Sequence, residues 1–182
     1  MYSVLYLLLL ATVTSYLIFG VKVSRRNEGA QKTQQSAMVV INQLDSELAN
    51  SRRGSVVVGA APTHIIFPSF EDASDDWAVD KFGKPFWQKW VAIVFHSPEK
   101  RLVRKVEYLS TPTTALGAAP PLASFTGVEK TIAQNVEVFE VQLLEGGWVV
   151  EVALRTIEKR GSGGSEDSEF PLTSRTRVRN GW

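Results

Sequence analysis

Five carboxylates lie close together in the segment EDASDDWAVD, residues 71–80. They are Glu71, Asp72, Asp75, Asp76 and Asp80. Carboxylate oxygens at this density are the ligands that Ca²⁺ prefers. Their spacing does not match an EF-hand loop, however, and a hydrated acidic loop accounts for the same residues without an ion. We therefore interpret the segment as a solvated loop and expect no resident metal and no cofactor.

A second set of charged residues alternates near the end of the chain, in FPLTSRTRVRN, residues 170–180. Residues two apart on a strand share one face, so Arg175, Arg177 and Arg179 would form a basic strip. Such a strip could contact DNA phosphates or the acidic side chains of a partner subunit. DNA binding normally uses more basic charge and interleaved aromatic rings, and the net charge here is only +1. We expect a protein partner and no nucleic acid.

Residues suited to catalysis are few. The chain has no cysteine, which excludes disulfides, thiolate metal sites and cysteine nucleophiles. Its two histidines, His64 and His96, lie beside apolar strand residues with no nucleophile motif such as G-x-S-x-G around them. The sequence therefore predicts neither an enzyme nor a small-molecule substrate.

The elements that would position these residues begin with an uncharged N-terminal segment, residues 1–21. As a helix it would be about 31 Å long, which matches a bilayer core of roughly 30 Å. It lacks the basic start and small-x-small cleavage site of a signal peptide, so we predict a retained transmembrane helix. Lys22, Arg25, Arg26 and Lys32 follow it. The positive-inside rule alone would place the rest of the chain in the cytoplasm.

Residues 22–53 have the pattern of an amphipathic helix. Apolar residues spaced four, three and four apart predict a stripe for helix packing and assembly, formed by Ala37, Ile41, Leu44 and Leu48. The opposite face is predicted to carry polar residues, namely Gln34, Gln35, Asn42, Asp45 and Glu47. The periodicity fits either an anchor followed by a separate helix or one helix of about 50 residues.

Residues 54–182 are predicted to form a β-rich globular domain. Short β-branched or alternating runs occupy residues 55–59, 64–68, 86–95, 101–109, 135–144, 148–157 and 170–180. The runs 86–95 and 101–109, and the runs 135–144 and 148–157, are separated by turn residues and predict two hairpins. Residues 111–127 are rich in Pro, Gly and Ala and predict a loop. The predicted fold class is α+β, with a long N-terminal helix packed on an antiparallel β-sheet domain.

Several stretches together resemble a known family. They are QLDSELANSRRG at 43–54, HIIFPSF at 64–70, NVEVFEVQLLEGGWVVEVALRTIE at 135–158 and the terminal FPLTSRTRVRN. With the apolar N-terminal helix, they are similar to type IV pilins and to the minor, J-type pseudopilins of type II secretion. The resemblance implies a pilin-like fold and an N-terminal helix that lies in the membrane before assembly and in the filament core afterwards. It also implies that the partners are other pilin subunits and membrane lipid.

The basic leader, cleavage junction and early glutamate of that family are not in this sequence, whose first acidic residue is Glu28. A start codon upstream of Met1 would account for this. We expect a structural subunit of a bacterial type II secretion or type IV pilus filament, acting by assembly at or near the tip. The resemblance implies an inner-membrane location with an extracytoplasmic domain. The alternative is a single-span membrane protein with an unrelated β-rich binding domain.

Overall fold

A computed structural model describes residues 2–71, 76, 79–127, 129–158 and 168–178. Within them the chain forms one long helix, α1 (Tyr2–Ala49), and eight strands. The strands are β1 (Val57–Ala60), β2 (Thr63–Ser69), β3 (Trp87–His96), β4 (Arg101–Thr113), β5 (Lys130–Gln134), β6 (Val136–Leu144), β7 (Val149–Glu158) and β8 (Ser168–Arg177). They form two antiparallel sheets, in the orders β1-β2-β3-β4-β5 and β6-β7-β8.

The helix α1 is uninterrupted because no proline precedes Pro62. Gly20 and Gly29 are its two interior glycines, and one glycine costs about 1 kcal/mol relative to alanine. The last turn tightens where the Ser51 backbone N–H donates to the Leu48 carbonyl at 3.0 Å. Gly54 then takes the left-handed conformation, with φ of 77°, and redirects the chain into β1.

The principal core lies between α1 and the inner faces of both sheets. The helix contributes the predicted stripe together with Val40. The five-stranded sheet contributes mainly Ile65, Phe67, Val91, Ile93 and Leu102. The three-stranded sheet contributes mainly Phe139, Val141, Val150, Val152 and Leu154. Each layer buries the apolar face of the others, so α1 is a structural layer of the domain over its last third.

The face of the five-stranded sheet that points away from α1 is also covered. Ile66, Trp90, Ala92, Val94 and Phe125 form a second cluster there. The segment that follows β4 packs against this cluster with Leu116, Ala119 and Leu122, so the predicted loop works as a cover. Because side chains on both faces of β3 are buried, the run WQKWVAIVF is apolar almost throughout and does not alternate.

Both predicted hairpins are confirmed. In the β6–β7 hairpin, Leu144 pairs with Val149 across a turn. Glu145 and Gly146 have φ values of 51° and 65°, the left-handed pair that a type I′ turn requires. β3 and β4 pair from His96–Arg101 to Lys89–Tyr108 with one irregularity beyond. Strand β5 was not predicted, because its short polar run KTIAQ lacks an apolar alternation.

The predicted fold class is wrong. The chain is mainly β, and its strands form two sheets where one antiparallel sheet domain was predicted. Nor is the helix packed on a sheet along its length: the stretch Tyr6–Ser24 has no buried part, and the buried stripe begins only at Ala37. The physical reason is that hairpin periodicity shows which strands pair but not how the hairpins join. Two apolar inner faces need each other as well as the helix end.

A leucine in the stripe tests this arrangement. We expect Leu44→Ala to lower the free energy of unfolding by about 2–5 kcal/mol, because it removes a fully buried side chain between two sheets. The exposed Leu143 on β6 is the matched control, and Leu143→Ala is expected to change stability by about 0.5 kcal/mol or less. Urea unfolding of the full chain in detergent measures both. Equal effects for the two variants would contradict the placement of α1 in the core.

Candidate functional site

The largest exposed apolar surface in the described residues is the first half of α1. The stretch Tyr6–Ser24 is 19 residues long, contains one charged residue and has no part buried inside the chain. Tyr16 is 81% exposed and Leu17 65%. Water would hydrate so much apolar surface unfavourably, whereas lipid would not. This helix is therefore long and apolar enough to cross a membrane.

The polar residues of this stretch are satisfied within the helix. The Thr12 hydroxyl donates to the Leu9 carbonyl at 2.8 Å, and the Thr14 hydroxyl donates to the Leu10 carbonyl at 2.7 Å. These bonds leave both hydroxyls satisfied in an environment without water. At the C-terminal end of this stretch, the Ser24 hydroxyl lies 3.3 Å from a carboxylate oxygen of Glu28.

The four predicted stripe residues are brought together, but inside the chain. Ala37, Leu44 and Leu48 are fully buried and Ile41 nearly so, all in the principal core. Their packing partners are the two sheets of the same protein. Any contact with another subunit through the last third of α1 must therefore use a different face of the helix.

Asp45 ties the helix to the last strand. One carboxylate oxygen accepts a hydrogen bond from the Ser174 hydroxyl at 2.5 Å, and the other accepts from the Thr176 hydroxyl. The predicted position of Asp45 and Glu47, on the polar face opposite the stripe, is wrong. Each lies only about 80–100° from the stripe, so both reach the sheets. The sequence signal for this position is that Asp45 is adjacent to Leu44 and Glu47 is adjacent to Leu48.

Glu47 makes the second polar tie, to the other sheet. One of its carboxylate oxygens lies 3.3 Å from a guanidinium nitrogen of Arg104 on β4. The Gln43 amide donates to the same oxygen at 2.9 Å. Both members of the ion pair are largely buried, so removing either one would leave a poorly solvated charge. Asp45 and Glu47 thus orient α1 on the two sheets.

The predicted basic strip is only partly available for binding. Arg175 pairs with Glu151 on the neighbouring strand β7, which neutralises it. The Arg177 guanidinium lies 5.9 Å from the ring centroid of Trp148. Arg179 is outside the described residues. The two described arginines of the strip contact Glu151 and Trp148, whereas the stripe lies in the principal core.

Arg53 shares the Trp148 ring with Arg177. Its guanidinium carbon lies 3.9 Å from the ring centroid, a close cation–π contact. The same side chain donates to the Gly146 carbonyl at 3.4 Å. These contacts attach the chain after α1 to the β6–β7 turn, so Arg53 has a structural role.

The acidic segment 71–80 does not present a cluster of ligands in its described part. Glu71 pairs with Lys89, which is only 3% exposed in its side chain. Asp80 accepts hydrogen bonds from the backbone N–H groups of Phe82 and Lys84 at 2.8 and 2.9 Å. Asp72 and Asp75 are outside the described residues. Among the residues that the structure describes, no three potential ligands are grouped to hold a metal ion.

Neither histidine belongs to a group of potential metal ligands in the described ranges. The ring Nδ1 of His64 lies 2.7 Å from the Pro62 carbonyl, beside the β1–β2 turn. His96 is at the end of β3, next to the turn into β4. Neither is hydrogen-bonded to a hydroxyl that it could activate.

A small ionic cluster lies at the β4–β5 edge. The Lys105 ammonium is 2.6 Å from a carboxylate oxygen of Glu129, and an Arg101 guanidinium nitrogen is 3.8 Å from the other. The hydrogen bond from Lys105 lowers the pKa of Glu129 below its usual 4.5, with smaller contributions from the neighbouring positive charges. This carboxylate therefore stabilises the edge in its ionised form.

Comparison with known proteins adds no family. No protein-family model, no curated protein and no solved structure matches this chain. The resemblance to pilins stays a prediction. The structure shows an exposed apolar stretch of helix that continues into the core of a β-rich domain.

The Asp45 contacts can be tested by deletion. We expect Asp45→Ala to lower the free energy of unfolding by about 1–3 kcal/mol, because two hydroxyls of β8 lose a charged acceptor. Amide hydrogen exchange should also become faster in β8 than in β3. The exposed Glu140 on β6 provides the control, and Glu140→Ala should leave β8 exchange unchanged. Uniform faster exchange in every strand would argue against a specific tie.

The ion pair of Glu129 predicts a pH dependence. Since its pKa is lowered in the folded state, its contribution to stability is present above 4.5 and is lost as pH falls through the lowered value. Glu129→Gln should reduce stability slightly at pH 7, by less than about 1 kcal/mol because the pair is solvent-screened. Below the lowered pKa the variant and the parent should converge. Thermal unfolding at a series of pH values downward from pH 7 measures this, and a difference that stays constant as the pH falls would contradict it.

Proposed function

We propose that this protein is a membrane-anchored assembly subunit of a bacterial type II secretion or type IV pilus filament, as the sequence resemblance implies. One observation carries the proposal. A single helix has a bare apolar first half and a last third that is a layer of the domain core. A flexible tether would suffice to hold an enzyme or a receptor at a membrane. A helix built into the domain instead fixes the domain's orientation.

The mechanism is mechanical and not catalytic. While the subunit is stored, lipid surrounds the apolar half of α1; during assembly, helices of neighbouring subunits replace the lipid. Because Asp45 and Glu47 hold the upper helix on both sheets, a displacement of the helix displaces the whole domain. The domain then contacts other subunits at or near the filament tip.

The proposed location is the bacterial inner membrane, with the β domain on the extracytoplasmic side. Lys22 and the basic residues that follow it favour the opposite orientation when taken alone. A basic leader upstream of Met1 would outweigh them. Membrane lipid and other pilin or pseudopilin subunits are the proposed partners.

A second candidate function is an anchored binding domain unrelated to pilins. One surface feature favours it: Phe82 is 73% exposed at the tip of a turn between Lys81 and Lys84. Asp80 braces this turn through its two backbone hydrogen bonds. A rigid turn that presents an aromatic ring between two cations suits an apolar, acid-rimmed pocket of a partner protein.

Two measurements on the native protein test the filament function. In the source organism, we expect the protein in filaments sheared from the cells or extracted from the envelope. We also expect mass spectrometry of its N-terminal peptide to find an N-methylated residue upstream of Met1, followed by a glutamate. Phe82→Ala should leave both results unchanged. An unprocessed Met1 and a protein confined to the membrane fraction would refute the filament function and favour the binding domain.

A further inference from the structure

The upper part of α1 has an uncharged surface opposite its buried stripe. We call it the outer face, formed by Gln35, Val39, Asn42 and Ser46. All four are exposed, and Val39 is 64% exposed. Each lies two residues from a member of the stripe, a rotation of about 200° around the helix. The outer face therefore points away from both sheets.

The side of α1 that carries the outer face continues towards the apolar stretch through a short charged segment that includes Glu28 and Lys32. Steps of three and four residues lead from Gln35 through Glu28 to Val21 and Leu17, all on the same side of α1. Val21 and Leu17 are more than half exposed. Lipid would cover the lower part of this side. The outer face lies above the span, where lipid does not reach, and it is exposed in the described chain.

We propose that the outer face pairs with the outer face of a second copy, so that two α1 helices associate in parallel and in register. This inference rests on the proposed membrane-anchored assembly and names its first partner. Two copies anchored in one membrane have parallel helices, and identical spans hold them at the same depth. Each residue of the outer face then meets its own counterpart.

The side chains of the outer face suit contact with their own copies. An amide has both a donor and an acceptor group, so Gln35 can bond to its counterpart, and Asn42 to its own. Between them Val39 would be removed from water on both helices. No charge lies on the outer face, so identical residues meet without like-charge repulsion. A buried Asn pair also favours a parallel, in-register arrangement over a staggered one.

The position of the β domain leaves room for this contact. Both sheets pack against the stripe, on the opposite side of α1, so two domains would lie on the outside of the helix pair. Two copies anchored in the same membrane could not associate through the edge strand β8. A two-fold antiparallel β8 pair would have its axis perpendicular to the sheet and would turn the two α1 helices in opposite directions.

Two charged positions precede the outer face on the same side of α1. Glu28 and Lys32 lie seven residues before Gln35 and Val39, so both would be at the contact in a parallel pair. Opposite charges four residues apart on a helix attract, so the two positions offset each other.

Single cysteines test the register, because the natural chain has none. The full chain is expressed in membranes with Gln35→Cys, Val39→Cys or Asn42→Cys, and disulfides are formed with copper-phenanthroline. We expect disulfide-linked dimers at all three positions. Ser36→Cys is the matched control, since Ser36 is exposed but lies about 100° away from Gln35, and it should give at least five-fold less dimer.

Side-chain variants in the Asn42→Cys background provide the second test. Val39→Asp should reduce the disulfide-linked dimer at least five-fold, whereas Val57→Asp, at an exposed valine on β1, should not change it. Equal dimer yields at positions 35 and 36, or dimers that form only between two different positions, would overturn the in-register pair.

The two proposals can fail separately. Filament incorporation without periodic disulfides would overturn the helix pair and leave the filament function. Periodic disulfides with an unprocessed, membrane-confined protein would overturn the filament function and retain the pair.

Discussion

The burial of one short stretch of α1, from Ala37 to Leu48, is the constraint on which the rest of the structure depends. Leu44 and Leu48 are fully buried, and burying one such side chain is worth about 1.5–3 kcal/mol. Neither sheet could cover its inner face in the same way without this stretch. Because the same helix continues into the exposed apolar stretch, the domain cannot turn freely relative to the first half of α1.

Polar contacts make that arrangement specific. Apolar packing alone would tolerate small rotations of the helix, whereas Asp45 requires two hydroxyls of β8 and Glu47 requires a guanidinium of β4. The two carboxylates lie on either flank of the stripe and bind different sheets. A rotation of α1 that improved one contact would break the other. The helix is therefore held in one orientation, which leaves the outer face directed away from the domain.

The sheet edges limit association through strands. Val178 donates its backbone N–H to the Trp148 carbonyl at 2.8 Å, so the even-numbered residues of β8 bond to β7 and the odd-numbered ones face the open edge. Pro171 is one of these, in the place where a missing N–H breaks no ladder bond. With Arg175 also on this edge, the addition of another strand is disfavoured. The β8 edge is therefore a poor site for strand addition.

Local sequence patterns by themselves determined the exposed apolar stretch of α1, the buried stripe and both hairpins. Each follows from residues within one segment: an uncharged apolar run, apolar spacing of three and four, and turn residues between β-branched runs. Only the tertiary structure decided that the hairpins form two sheets, that the loop after β4 covers one of them, and that Asp45 and Glu47 are ties and not solvent-facing residues. Those outcomes depend on contacts between residues far apart in the chain, such as Asp45 with Ser174. Periodicity within one segment does not show which distant residue will contact a side chain at the border of the buried stripe.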